Sequence, residues 1–223
     1  MKDNLTIHVG LHKTGTTFLQ KEIFSKIPDI NFVRSAEIWK IHIDKNKINL
    51  ISNECLSSDE PHFWEFGATG RYEILNHLKQ LFFDAKIILG IRNFDAWLKS
   101  CYKQYIVCGG ILKFDDYCNK YRKHFINMQE YEDKIRDTFT DVLVYRQEDL
   151  LRNRDKTINN ICRFIGVNAP EYSNVKRNIS PKPYQLELRR RMNKFMKSEF
   201  NDAPFFTDMI IRELIHIWSN KEV

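Results

Sequence analysis

At 223 residues, with 43% hydrophobic and 29% charged residues, the chain has the size and balance of one globular domain with a real core, spanning residues 1–223. No run of about 20 apolar residues occurs, which excludes a helical membrane span, and five cysteines without a Cys-x-x-Cys pair argue against a disulfide framework or a zinc site. The net charge of +6 suits an anionic ligand, but the basic residues are scattered and no nucleic-acid-binding signature is present, so no nucleic-acid partner is expected. The cysteine usage points to a reducing cytoplasm, and a strand beginning within a few residues of Met1 leaves no signal peptide expected.

Residues 5–9 alternate apolar Leu5, Ile7 and Val9 with polar Thr6 and His8, the period of a strand. Residues 10–15 read as a tight loop bounded by Gly10 and Gly15. Thr16 opens a helix with Leu19, Ile23 and Phe24 at helical spacing. A strand, a glycine-bounded loop and a helix make a phosphate cradle, because N–H groups at a helix N-terminus point outward and the helix dipole favours an anion there. Gly10 and Gly15 have the spacing of a Walker A loop, but Thr16 stands in the lysine position and the lysine lies inside the loop, at Lys13.

Residues 25–47 read as a polar excursion in which Ile38, Ile41 and His42 share a helical face near Trp39. Residues 48–56 read as the second strand. Its polar end places Ser52, Asn53 and Glu54 where open α/β sheets bind their ligands, beyond the carboxyl ends of the strands. Residues 57–70 form a loop with Phe63, Trp64 and Phe66, long enough for either a lid or an irregular packed loop. A helix over 71–83 leads to residues 86–91, a nearly continuous apolar run that reads as a parallel strand buried on both faces, with Arg92 at its end. A helix over 95–107 follows, with Trp97, Leu98, Cys101 and Tyr105 facing inward. Beyond the Gly109-Gly110 turn the pattern predicts helices over 114–124 and 128–139, a strand over 141–145 and a turn starting at Glu148. A helix over 157–165 is stopped by Gly166, and two amphipathic helices over 184–200 and 207–218 close the chain. The alternation predicts an α/β fold, a parallel sheet with helices on both faces.

Lys13-Thr14-Gly15-Thr16-Thr17 resembles the 5′-phosphosulfate loop of sulfotransferases, which use 3′-phosphoadenosine 5′-phosphosulfate (PAPS) as sulfonyl donor. A second segment, residues 91–100, resembles the same family. There a strand ends in arginine, a serine follows eight positions later, and both bind the donor's 3′-phosphate; Arg92 and Ser100 have that spacing, and Trp97 and Tyr102 suit the pattern. Residues 142–150 and 157–167 are similar to a later strand and helix of the family, and residues 175–180 stand where it places a basic loop over the nucleotide. The chain departs from the cytosolic animal enzymes in lacking their Arg-Lys-Gly triplet, for which Arg177 is the nearest counterpart. Gln147 also precedes Glu148-Asp149 where those enzymes have tyrosine.

The resemblance implies a P-loop NTPase-like three-layer sandwich and transfer of a sulfonyl group from PAPS to a hydroxyl or amine. The product is 3′-phosphoadenosine 5′-phosphate (PAP), and no metal is required. It implies that Lys13 stabilises the leaving oxygen, that Thr14, Gly15, Thr16 and Thr17 hold the 5′-phosphate, and that Arg92, Ser100 and Arg177 hold the 3′-phosphate. For the general base, Glu54 ranks first because it follows a strand expected beside the Lys13 loop, and His12 ranks second. A small-molecule kinase with a degenerate P-loop and a non-catalytic nucleotide-binding module are the competing readings. A carbohydrate, a lipid, a small metabolite and a peptide tyrosine all remain open as acceptors, as does the oligomeric state.

Overall fold

The computed structural model describes residues 4–34, 42–56, 70–173 and 181–196. Strand β1 (Leu5–Gly10) is buried along its whole length. Although they are polar, Thr6 and His8 are 1% and 0% exposed. The reason is position: β1 is the middle of a five-stranded sheet in the order β2-β3-β1-β4-β5, with β2 (Ile30–Val33), β3 (Ile48–Ser52), β4 (Lys86–Ile91) and β5 (Val142–Arg146). All four pairings are parallel, as the alternation of strands and helices predicted. The register sets Ser52 beside His8, Gly90 beside Gly10, and Tyr145 beside Gly90.

Helix α1 (Thr16–Phe18) continues through a π-helical turn, Leu19–Ile23, and a 3-10 turn, Phe24–Lys26. The other helices are α2 (Gly70–Leu81), α3 (Phe94–Val107), α4 (Phe114–Tyr121), α5 (Met128–Thr138), α6 (Gln147–Arg152), α7 (Arg154–Ile165) and α8 (Pro183–Phe195). Sheet and helices form a three-layer α/β fold. Local chemistry sets several of these ends. The Asn127 side chain accepts the Glu130 N–H at the start of α5. Gly166, at φ 97°, closes α7 on the Cys162 and Arg163 carbonyls. Pro183 opens α8, where its missing N–H costs nothing.

Beyond shifts of a few residues at helix ends, such as α7 starting at Arg154 rather than 157, three segments differ from the sequence reading. Residues 30–33 form the edge strand β2, within what reads as a polar excursion. β3 stops at Ser52, and Glu54–Leu56 is a 3-10 turn. The turn expected at Glu148 is instead the helix α6, which begins directly at the end of β5. Ile38, Trp39 and Ile41, the aromatics Phe63, Trp64 and Phe66, Arg177 and the helix expected over 207–218 lie outside the described residues.

The described residues fall into two compact units, residues 1–97 with 123–177, and residues 98–122 with 178–223. The first holds the sheet and a core of Leu19, Ile23, Phe24, Leu50, Ile88, Ile158, Ile161 and Ile165. Burying each of these contributes about 1.5–3 kcal/mol, and together they clamp the segment after Thr16 to the sheet. The second is built on tyrosines, with Tyr105, Tyr117 and Tyr121 rings 5.0–6.0 Å apart, and on Asn193, whose amide donates to the Ile106 and Gly110 carbonyls. Among the described residues no helix is long and apolar enough to cross a membrane.

Candidate active site

The loop between β1 and α1 has an unusual backbone. Lys13 (φ 69°) and Gly15 (φ 95°) are both left-handed. Glycine takes that conformation freely, whereas for lysine it costs about 1 kcal/mol. Side-chain donors hold the turn in place. Thr14 Oγ1 donates to the Leu11 carbonyl (2.5 Å), Trp97 Nε1 to the His12 carbonyl (3.1 Å), and Arg92 Nη1 to the Lys13 carbonyl (3.1 Å). In a planar trans peptide the N–H lies opposite the C=O. Anchoring three successive carbonyls therefore turns the N–H groups of His12, Lys13 and Thr14 away from those donors. Successive amides turned to one side form a concavity that suits an anion.

The Lys13 loop and the end of β4 thus meet through the Arg92 guanidinium on the loop backbone. Thr17 and Arg92 are half-buried, and Thr14 and Thr16 are buried. The Thr14 hydroxyl is committed to Leu11, which leaves its amide as its group for a ligand. Ser100 is half-buried on α3 and belongs to the second unit.

The two candidate bases form one pair: His12 Nδ1 is 3.0 Å from Glu54 Oε2. The Asn53 N–H donates to the His8 carbonyl, which starts the 3-10 turn and brings Glu54 back over β1. Burial pushes the Glu54 pKa up, but the hydrogen bond with His12 and the charges of His12, Lys13 and His8 outweigh it, and the carboxyl is held below its ordinary value. His12 Nε2 is buried and has no hydrogen-bond partner among the described residues.

Beneath the loop runs a chain of polar groups that sequence reasoning missed. Gln20 Nε2 donates to Ser52 Oγ (3.1 Å), Ser52 Oγ is 2.7 Å from His8 Nδ1, and His8 Nε2 is 3.1 Å from the Tyr145 hydroxyl. The Gln20 NH2 group donates to both the Ser52 carbonyl and Ser52 Oγ, and the roles at His8 follow from which ring nitrogen carries its proton. Burial is the main reason that the His8 pKa falls to about 4, partly offset by the Glu54 charge, so this imidazole is neutral. Burial likewise pushes the Tyr145 phenol up. One sequence signal was available. Gly90, in an otherwise apolar strand, marks a close approach, and a Cβ there would collide with the Tyr145 hydroxyl and sit 2.9 Å from Thr14 Oγ1.

A family model described as a sulfotransferase domain matches residues 3–198. The chain belongs to the sulfotransferase domain family. Among solved structures, this sulfotransferase domain is similar to a sulfotransferase from Alicyclobacillus acidocaldarius. The TM-score is 0.55 and the identity 17%, with 93% of this chain and 96% of that one covered. It is also similar to mouse SULT7A1 complexed with PAP, with a TM-score of 0.50, 16% identity, and 91% and 68% of the two chains covered. At these identities the likeness establishes the fold. A comparison with curated protein sequences gives no match.

Proposed function

We propose that this sulfotransferase domain, acting as one domain over residues 1–223, moves a sulfonyl group from PAPS to a hydroxyl or amine acceptor and releases PAP. The observation that carries the reading is the Lys13 loop, with its three anchored carbonyls and the Arg92 guanidinium bound to its backbone. A donor set of amides, an ammonium and a guanidinium fits a phosphosulfate, because all of its groups donate hydrogen bonds and two carry fixed positive charge. The donor supplies a sulfonyl group on a phosphate leaving group. Lys13 neutralises the charge that grows on the bridging oxygen as the S–O bond breaks, an interaction stronger in the transition state than in the ground state. The amides of Thr14 and Gly15, with Thr16 and Thr17, hold the 5′-phosphate. Arg92, Ser100 and Arg177 are assigned to the 3′-phosphate, the last two on the family resemblance alone. No step calls on a metal.

The acceptor proton goes to the Glu54–His12 pair. A carboxylate held ionised at neutral pH is competent to accept it, either directly or through the His12 imidazole. The acceptor itself is a carbohydrate, lipid, small metabolite or tyrosine peptide. Its site is assigned to residues 25–47 and 57–70, on the general rule that loops on a rigid scaffold set specificity. A reducing cytoplasm remains the proposed setting.

The test is release of PAP from PAPS, followed chromatographically in the presence of sugar, phenol, amine and tyrosine-peptide acceptors. Lys13→Ala should slow release roughly a hundredfold or more, the loss typical of removing one preorganised oxyanion donor. Equal rates for the variant and the native protein would overturn the assignment of Lys13.

A further inference from the structure

Two of the three carbonyl anchors in the Lys13 loop have an evident source, one from the loop itself (Thr14) and one from a residue assigned to the donor (Arg92). The third comes from Trp97, to which the proposed function gives no role. Trp97 is 7% exposed in the first turn of α3. Its ring lies 6.0 Å from the Phe94 ring and 6.4 Å, edge to face, from the Phe125 ring. Those contacts fix the direction of the indole N–H, which donates to the His12 carbonyl at 3.1 Å.

The His12–Lys13 peptide is where this matters. Its carbonyl belongs to His12 and its N–H to Lys13. Rotating that plane changes ψ of His12 and φ of Lys13, so a flip would relieve the left-handed φ of 69° at Lys13. The same flip would withdraw the Lys13 N–H and present the His12 carbonyl oxygen to the anion side of the loop. The loop therefore has a local incentive to turn the wrong way, and the indole N–H opposes it.

We propose that Trp97 is a positioning residue of the sulfonyl-transfer site, holding the His12–Lys13 peptide so that the Lys13 N–H and side chain serve the donor anion. The meaning of the site rests on the proposed function; the restraint on the loop does not. Trp97→Phe removes the N–H and keeps an aromatic ring among Phe94 and Phe125. Phe125→Leu loosens the packing of the ring and keeps the N–H. Three readouts separate the cases: the melting midpoint, the PAP dissociation constant by calorimetry, and amide hydrogen exchange across residues 11–17 without ligand.

For Trp97→Phe we expect a melting midpoint within about 3 °C of the native protein, PAP binding weakened roughly tenfold, the effect of one lost hydrogen bond, and faster exchange at residues 12–15. For Phe125→Leu we expect at least as large a fall in midpoint with PAP binding within about twofold. Unchanged exchange and affinity in Trp97→Phe would overturn the proposal. So would affinity losses that track the melting midpoint in both variants, since that is the signature of packing alone. If the native protein bound no PAP, the sulfonyl-transfer reading would fail, and the exchange comparison would still decide whether Trp97 holds the loop.

Discussion

His8 offers a test of the polar chain beneath the loop, because its burial has a sign and a size. The imidazole is 0% exposed and its pKa is lowered from 6.5 to about 4, burial being the larger cause and the Glu54 charge a partial offset. In the unfolded chain it takes up a proton near pH 6.5; in the folded chain it resists until about pH 4. Between those values the unfolded state binds more protons, so stability falls as the pH is lowered through that window. The difference in pKa corresponds to roughly 3 kcal/mol, fully expressed only near pH 4. Other groups titrate over the same range, so the quantity to measure is the gap between the native protein and His8→Gln. Glutamine keeps an amide able to donate to or accept from Tyr145, and Ser52 retains its bond from Gln20. Urea unfolding at pH 7.5 should show the variant less stable by about 1–3 kcal/mol for the disturbed network. By pH 4.5 the gap should close or reverse, because only the native protein carries the penalty of a buried imidazole. A gap constant to within about 0.5 kcal/mol across that range, the usual error of such comparisons, would refute the buried neutral assignment.

Two further outcomes follow from the same geometry. Gly90→Ala places a methyl group against the Tyr145 hydroxyl and 2.5 Å from its Cζ, and should cost about 1–3 kcal/mol as overpacking; in a Tyr145→Phe background thermal melts should show a smaller cost than the sum of the single changes. Glu54→Gln should leave PAP binding by calorimetry within about twofold but cut turnover roughly a hundredfold or more, the range expected for loss of a general base. The carboxyl of Glu54 is held below its ordinary value of 4.5, so its stabilisation is present above that pH and lost as the pH falls through its folded pKa. The stability gap between native protein and Glu54→Gln should therefore shrink on acidification.

The sheet was legible where hydrophobic pattern and position agree. Residues 86–91 read as a doubly buried strand and are β4, flanked on both sides. β2 was not legible, because Ile30, Phe32 and Val33 are too few, at an edge, to outweigh the polar residues around them. Alternation marked residues 5–9 as a strand but reports only the chemistry of each side chain, so it carries no sign that Thr6 and His8 are both buried. The Lys13 loop, Arg92, Glu54 and His12 were legible as types and spacings, and the structure adds that Glu54 and His12 touch and that Arg92 binds the loop backbone. The hydrogen bonds from Trp97 to His12 and from His8 to Tyr145 span 85 and 137 residues. No local pattern encodes such pairings; they exist only once β1, β4 and β5 lie side by side.

Calorimetric titration with PAP, beside ADP and ATP, each with magnesium and then with a chelator, decides between sulfonyl and phosphoryl transfer. A sulfonyl-transfer site should bind PAP independently of metal, more tightly than either nucleotide, and more weakly in Arg92→Ala. Preference for ATP with magnesium would contradict sulfonyl transfer and put a kinase in its place.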